Sequence, residues 1–253
     1  MRSKYLFLIT VFHLTLTFSQ NQEVWQEGNS LYNDGKFTEA ILKYESILED
    51  GVHSAELYFN LGNAHYKLNN IAPSIYYYEK ALELAPNDPE IQQNIAFARN
   101  MTIDDIDIIP EVGFSKLFKT ISNFMSYDGW AYLSVIGVVV FVLLYLLYYF
   151  SYNTGKKRMA FVGSLSFLAL SYVALFFAFN KYGIDAKDNP AIIFAQEALV
   201  KSEPNLRSEE LFRLHEGTKV QILDTVMNWK KVKLTDGKTG WIQSEELRLL
   251  SKI

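Results

Sequence analysis

Two stretches of this chain carry no charged side chain, and they limit every fold it can adopt. Residues 130–150 and 159–179 each supply about the 20 apolar positions that a helix needs to cross a hydrocarbon core. Both are apolar all round rather than along one stripe, a pattern that a soluble chain of 253 residues seldom accommodates. Trp130, Tyr132, Tyr148, Tyr149 and Tyr182 stand near their ends, as interfacial aromatics do. The connecting loop, 151–158, is short and holds Lys156, Lys157 and Arg158, and short basic loops stay cytoplasmic. The pair therefore reads as a transmembrane hairpin with a cytoplasmic tip and both long polar segments outside. Lys116, Lys119 and Lys181 fall on the outer side and weaken that charge bias. Neither span contains Asp, Glu, Lys, Arg or His, the residues that mark ion and proton paths, so the hairpin is expected to anchor rather than transport. Gly137, Gly163, Ser164 and Ser166 are small enough to let the two helices approach closely.

The N-terminus points the same way. Arg2 and Lys4 precede an apolar run from Tyr5 to Phe18, and Ser19-Gln20-Asn21 then turns polar. This is the layout of a secretory signal peptide over residues 1–19, which sends the next segment out of the cytoplasm. A formal net charge of −4 without a clustered basic face excludes nucleic acid as an expected partner. The absence of cysteine excludes disulfides, thiolate metal sites and a cysteine nucleophile.

The exported segment repeats itself. A shift of 34 residues superimposes Gly28 on Gly62, Tyr32 on Tyr66 and Tyr44 on Tyr78, and 34 is the period of the helix–turn–helix tetratricopeptide (TPR) unit. Residues 55–88 resemble that family closely: Leu61-Gly62 is the small notch where the paired helix crosses, Ala81 a second close contact and Pro86 a stop. Residues 21–54 are an earlier copy with Gly28, Gly35, Phe37, Ala40 and Tyr44, and 89–100 reads as a capping helix, so the TPR domain spans 21–100. The resemblance implies a concave face lined by Trp25, Asn29, Tyr32 and Asn33 from the first copy. Phe59, Asn63, Tyr66 and Lys67 from the second and Phe97 from the cap complete it. Asparagine amides bracket an extended backbone and aromatic rings supply contact area, so the expected ligand is a partner protein. Asn29 and Asn60 coincide with asparagines of the carboxylate-clamp TPR subtype, whereas Trp25, Glu90 and Asn94 stand where its basic residues would be. Two repeats are few for an independent array, so support from elsewhere is expected.

Residues 101–129 form a linker. It starts with the acidic run Thr102 to Asp107 and continues with Phe114, Leu117, Phe118, Ile121 and Phe124 at the three- and four-residue spacing of an amphipathic helix, as in helices that lie on membrane surfaces. After the second span the pattern turns to strands. Lys219–Val226 and Trp229–Leu234 are rich in β-branched residues, and Asp236-Gly237 makes a hairpin turn into Thr239-Gly240-Trp241-Ile242. Gly217, Trp229 to Val232 and Gly240-Trp241-Ile242 resemble the signature of bacterial SH3-like domains, which implies an all-β SH3-like barrel over 190–253. In that family Trp229 and Trp241 serve as core or as groove, with cell-wall peptide or a proline-rich segment as ligand.

No nucleophile elbow, zinc-protease helix, phosphate-cradling loop or dinucleotide turn occurs, and His13, His53, His65 and His215 show no ligand spacing. The chain is expected to be non-enzymatic, with no catalytic residue, metal or cofactor. The expected architecture is multidomain: all-α TPR repeats, a two-helix transmembrane hairpin and the C-terminal β domain. That order resembles the BatE-type proteins of the Bacteroides aerotolerance operons. The resemblance implies a two-pass protein of the bacterial inner membrane, with its TPR and SH3-like domains in the periplasm. It also implies partners among membrane proteins with von Willebrand A domains and other TPR proteins. The expected role is a membrane-anchored adaptor of the cell envelope. The alternative is a cell-wall sensor that binds peptidoglycan through the SH3-like domain.

Overall fold

The computed structural model describes residues 21–106 and 113–250, so the signal peptide expected over 1–19 lies outside the described residues. The described residues divide into two compact units, one built from residues 21–106 together with 189–250 and the other from 113–188.

The first unit opens with α1, described over residues 21–33, followed by α2 (Phe37–Glu49), α3 (Ala55–Lys67), α4 (Ile71–Leu84) and α5 (Pro89–Arg99). Local chemistry sets the boundaries. The Ser54 side chain accepts from Leu57 N at 3.1 Å to start α3. Asp88 caps α5 by accepting from Glu90 N and Ile91 N, and Pro89 occupies the first turn, where its missing N–H costs nothing. The helices pair because α1 and α3 each carry a glycine at the crossing: a Cβ on Gly28 would lie 2.7 Å from the Tyr44 ring, and one on Gly62 2.6 Å from the Tyr78 ring. Tyr44 and Tyr78 are consequently buried to 1% exposure and fill the space that the glycines leave. Ala40 and Ala81 are fully buried in the same core, with Leu61 and Ile75 beside them.

The remainder of this unit is a seven-stranded antiparallel sheet in the order β3-β2-β6-β5-β4-β1-β7. Its strands are β1 (Pro190–Ile193), β2 (Glu197–Lys201), β3 (Glu210–His215), β4 (Lys219–Val226), β5 (Trp229–Lys233), β6 (Thr239–Gln243) and β7 (Leu247–Leu249). Each strand places at least one residue in a single core, among them Ile193, Val200, Leu214, Val220, Val232, Ile242 and Leu247. The expected SH3-like barrel is present as an antiparallel sheet that does not close: β3 and β7 remain its two edges. Closure requires those edges to pair, but β7 is only three residues long, and Leu250 just beyond it packs into the helical core instead.

That diversion joins sheet to helices. In β1, Ala191 and Ile193 enter the sheet core while Ile192 enters the helical core, so the strand is buried on both faces and reads as an unbroken apolar run. Phe194 meets Tyr76 of α4 edge-on at 5.8 Å, and the Arg248 guanidinium lies 4.4 Å from the Phe194 ring centre and 5.4 Å from that of Tyr76. Glu79 of α4 receives both Arg99 and Lys219, each at 2.7 Å. The stretch after α5 also contributes: Ile106 packs on the sheet core, and Asp104 accepts from His215 N at 2.7 Å and from Thr218 Oγ1 at 2.6 Å. Burial alone would raise the Asp104 carboxyl, yet the bonds from Thr218 and His215 outweigh it and hold the group below the usual carboxylate range.

The second unit contains α6 (Phe114–Ser122), α7 (Tyr127–Phe150) and α8 (Thr154–Lys187). By length and composition α7 and α8 are each able to cross a membrane. They pack closely where side chains are small: Gly137 lies against Ser171, and Ser171 Oγ donates to Ser134 O at 2.9 Å. Most of their outward surface is apolar and exposed, as at Val139, Leu143, Val162 and Phe176.

Candidate functional site

The inner faces of α1, α3 and α5 enclose a cleft of about 590 Å³. These are the first helices of the two repeats and the cap, and a TPR array presents them on its concave side. Of the nine residues expected there, the structure brings eight together: Asn29, Tyr32, Asn33, Phe59, Asn63, Tyr66, Lys67 and Phe97. Trp25 is elsewhere. Its ring lies 5.5 Å from that of Tyr44, and it packs against the helical core.

Five further residues line the cleft: Tyr44, Asn60, Tyr78, Glu90 and Asn94. Four of them belong to a hydrogen-bond pattern that repeats with the sequence. Asn29 Oδ1 accepts from Tyr44 Oη at 2.8 Å and from Asn60 Nδ2 at 3.1 Å. One repeat later, Asn63 Oδ1 accepts from Tyr78 Oη at 2.6 Å and from Asn94 Nδ2 at 2.9 Å. Each tyrosine that fills a glycine notch thus also reaches the cleft floor and holds an asparagine. Burial pushes the Tyr44 hydroxyl up to about 12 and raises Tyr78 as well, so both remain protonated donors near neutrality.

The consequence is chemical. An amide whose oxygen already takes two donors has its orientation determined, with Nδ2 turned the other way. Asn29 and Asn63 therefore each keep a fixed amide donor on a cleft-lining residue. Aromatic area comes from Tyr32, Phe59, Tyr66 and the half-exposed Phe97. The charged side chains that line the cleft are Lys67, at the end of α3, and Glu90, at the start of α5. Such a surface can bond the carbonyls of an extended chain and pack its side chains, without strong selection for either charge.

In the sheet, Trp229 is buried at the start of β5 and offers little surface, whereas Trp241 of β6 is partly exposed. Trp241 stands opposite Lys201 on one side and Lys231 on the other, with Lys231 Nζ 5.9 Å from its ring centre. Of the two tryptophans only Trp241 presents appreciable surface. His215 bonds Asp104, and His65 stacks on Tyr77 with ring centres 5.4 Å apart. Among the described residues no group of three or more His, Cys, Asp or Glu is gathered that could hold a metal ion.

Two family models match the chain: tetratricopeptide repeat over residues 55–88 and bacterial SH3 domain over residues 198–248. No curated protein matches. Among solved structures, an NlpC/P60 family protein from Bacillus cereus is similar at 13% identity with a TM-score of 0.21. That alignment covers 28% of this chain and 23% of the other. A likeness of that size carries no argument about fold or activity. The chain thus contains a TPR repeat and a bacterial SH3 domain.

Proposed function

We propose that this chain is a non-enzymatic adaptor, anchored by its helical hairpin and binding an extended segment of a partner protein in the TPR cleft. The observation that carries the reading is the twice-repeated Asn–Tyr–Asn arrangement. It presets two amide donors beside partly exposed aromatic rings, while the sheet packs on α4 and leaves α1, α3 and α5 facing the cleft. Preset donors lose little freedom on binding, which favours affinity.

The topology supports the anchoring part. Residues 21–106 and 189–250 belong to one compact unit, so the stretch between them crosses any bilayer an even number of times. Two crossings by α7 and α8 satisfy that condition. With the basic loop at Lys156, Lys157 and Arg158 in the cytoplasm, the compact unit faces the periplasm from the bacterial inner membrane. In this reading the chain works in an envelope complex of the Bacteroides aerotolerance type, its partners being membrane proteins with von Willebrand A domains or other TPR proteins. A signal peptide over 1–19 delivers the helical repeats to that side.

The test is affinity purification from native membranes after mild crosslinking, comparing wild type with a Phe97→Ala/Lys67→Glu variant. Both residues line the cleft on exposed positions, so their replacement spares the core. Discrete proteins recovered with wild type and lost with the variant support the adaptor. Equal recovery with both removes the cleft from the contact. One observation favours a second reading, a peptidoglycan-binding sensor: Trp241 is partly exposed between Lys201 and Lys231 on a bacterial SH3 sheet. Retention on purified sacculi that disappears in Trp241→Ala would select it.

A further inference from the structure

Helix α6 is nine residues long, and a helix that short is marginal on its own in water. Its apolar side chains nevertheless lie on one side: Phe114 is 79% exposed, Leu117 55%, Ile121 39% and, just past its end, Phe124 76%. Lys116 falls on the opposite side by helical spacing. Among the described residues nothing in its own unit covers the apolar face, whereas the neighbouring side chain Phe118 packs on α8, 6.2 Å from the Phe176 ring and 5.4 Å from the Phe177 ring.

The attachment of α6 defines its level along the hairpin. Trp130 Nε1 donates to Ser122 O at 3.1 Å, and the same indole stacks on Phe177 at 4.9 Å. Lys181 Nζ bonds Asn123 Oδ1 at 3.0 Å and pairs with Asp185 at 3.0 Å. Tyr127 and Tyr182 meet edge-on at 5.7 Å at this same end. Tryptophan, tyrosines and the first charged side chains collect where a bilayer passes from hydrocarbon to headgroups. The exposed face of α6 is thus continuous, through Phe118, Phe176 and Phe177, with the apolar surface of the spans.

We infer that α6 is an interfacial helix whose Phe114, Leu117, Ile121 and Phe124 enter the headgroup–acyl boundary of the bilayer that α7 and α8 cross. The occupant of this face is lipid. The inference rests on the membrane-spanning reading of the hairpin and adds to it a third point of attachment, lying in the membrane plane. Such a helix holds the polar unit's tether at the surface rather than letting it extend into solution.

The chain has no cysteine, so single-cysteine variants accept one spin label each. Phe114→Cys, Leu117→Cys, Lys116→Cys and, as a reference in the span, Val139→Cys are labelled in the full chain. The protein is reconstituted in vesicles of phosphatidylcholine with phosphatidylglycerol. Collision with oxygen, which partitions into lipid, is compared with collision with a water-soluble nickel chelate. The expected result is oxygen preference at 114, 117 and 139 and the reverse at 116. Water-like values at 114 and 117 with lipid-like values at 139 overturn the inference but leave the spans standing. Shielding of 114 and 117 from both reagents assigns the face to protein and overturns it too. Water-like values at 139 remove the spans and the inference together.

Discussion

His215 Nδ1 lies 2.6 Å from Asp104 Oδ1, joining residues 111 positions apart and fastening the segment after α5 to the turn between β3 and β4. Asp104 takes three hydrogen bonds in all, two from His215 and one from Thr218. Asp104→Ala is expected to destabilise the first unit by about 2–3 kcal/mol, because bonds to a charged group are lost and three donors are left without their acceptor. Urea unfolding of the full chain in mild detergent, followed by tryptophan fluorescence, measures it. Since the carboxyl is held below its ordinary range, its contribution is present above that range. It is lost as pH falls through the folded value, so wild type and Asp104→Ala converge in strong acid.

His65 gives a second pH dependence at milder acidity. Burial is the main reason that its pKa is lowered to about 4, with Arg248 adding to it, and its Nε2 is buried without a partner. The unfolded imidazole titrates at about 6.5. The contribution of the neutral ring is therefore complete above that value and is lost as pH falls toward 4, by on the order of 2–3 kcal/mol. His65→Phe should flatten the stability curve across this window, which unfolding midpoints at a series of pH values will show.

Gly62→Ala places a methyl group 2.6 Å from a Tyr78 ring that is 1% exposed and has no room to move. The expected loss is about 1–3 kcal/mol, with a weaker bond from Tyr78 to Asn63 and so a poorer cleft. Gly183→Ala, where nothing lies within 4 Å, is the control: a helix-interior position that should gain up to about 1 kcal/mol. Thermal unfolding of both variants in the same detergent decides it.

Glu79 tests whether helices and sheet unfold together. Its side chain is 9% exposed and holds Arg99 from the cap and Lys219 from the sheet. Removing it with Glu79→Ala takes away both pairings, and because Arg99 and Lys219 are half exposed and can be rehydrated the expected cost is about 1–2 kcal/mol. Hydrogen exchange should speed up in α5 and β4 together, rather than in one of them.

The 34-residue period made the cleft legible because repeats place equivalent residues at equivalent depth. The same period carries Asn60 to Asn94 as well as Tyr44 to Tyr78, a signal sufficient to find four of the five lining residues that the concave-face assignment omitted. Trp25 shares the helix face of Asn29 and packs on Tyr44 as Phe59 packs on Tyr78 one repeat later, although it does not itself line the cleft. The junction of sheet and helices was barely legible. The unbroken run Ala191-Ile192-Ile193 signals a strand covered on both faces, but nothing local names α4 as the cover. The open sheet follows from the same contact, since Leu250 serves the helices.

The adaptor reading rests finally on occupancy of the cleft. A photoreactive phenylalanine analogue is introduced at Phe97, which lines it, and separately at Leu42, an exposed residue of α2 outside it. Irradiation of living cells is predicted to join a discrete protein to the chain from position 97 and not from position 42. No adduct from 97, or the same adducts from both positions, would contradict the account.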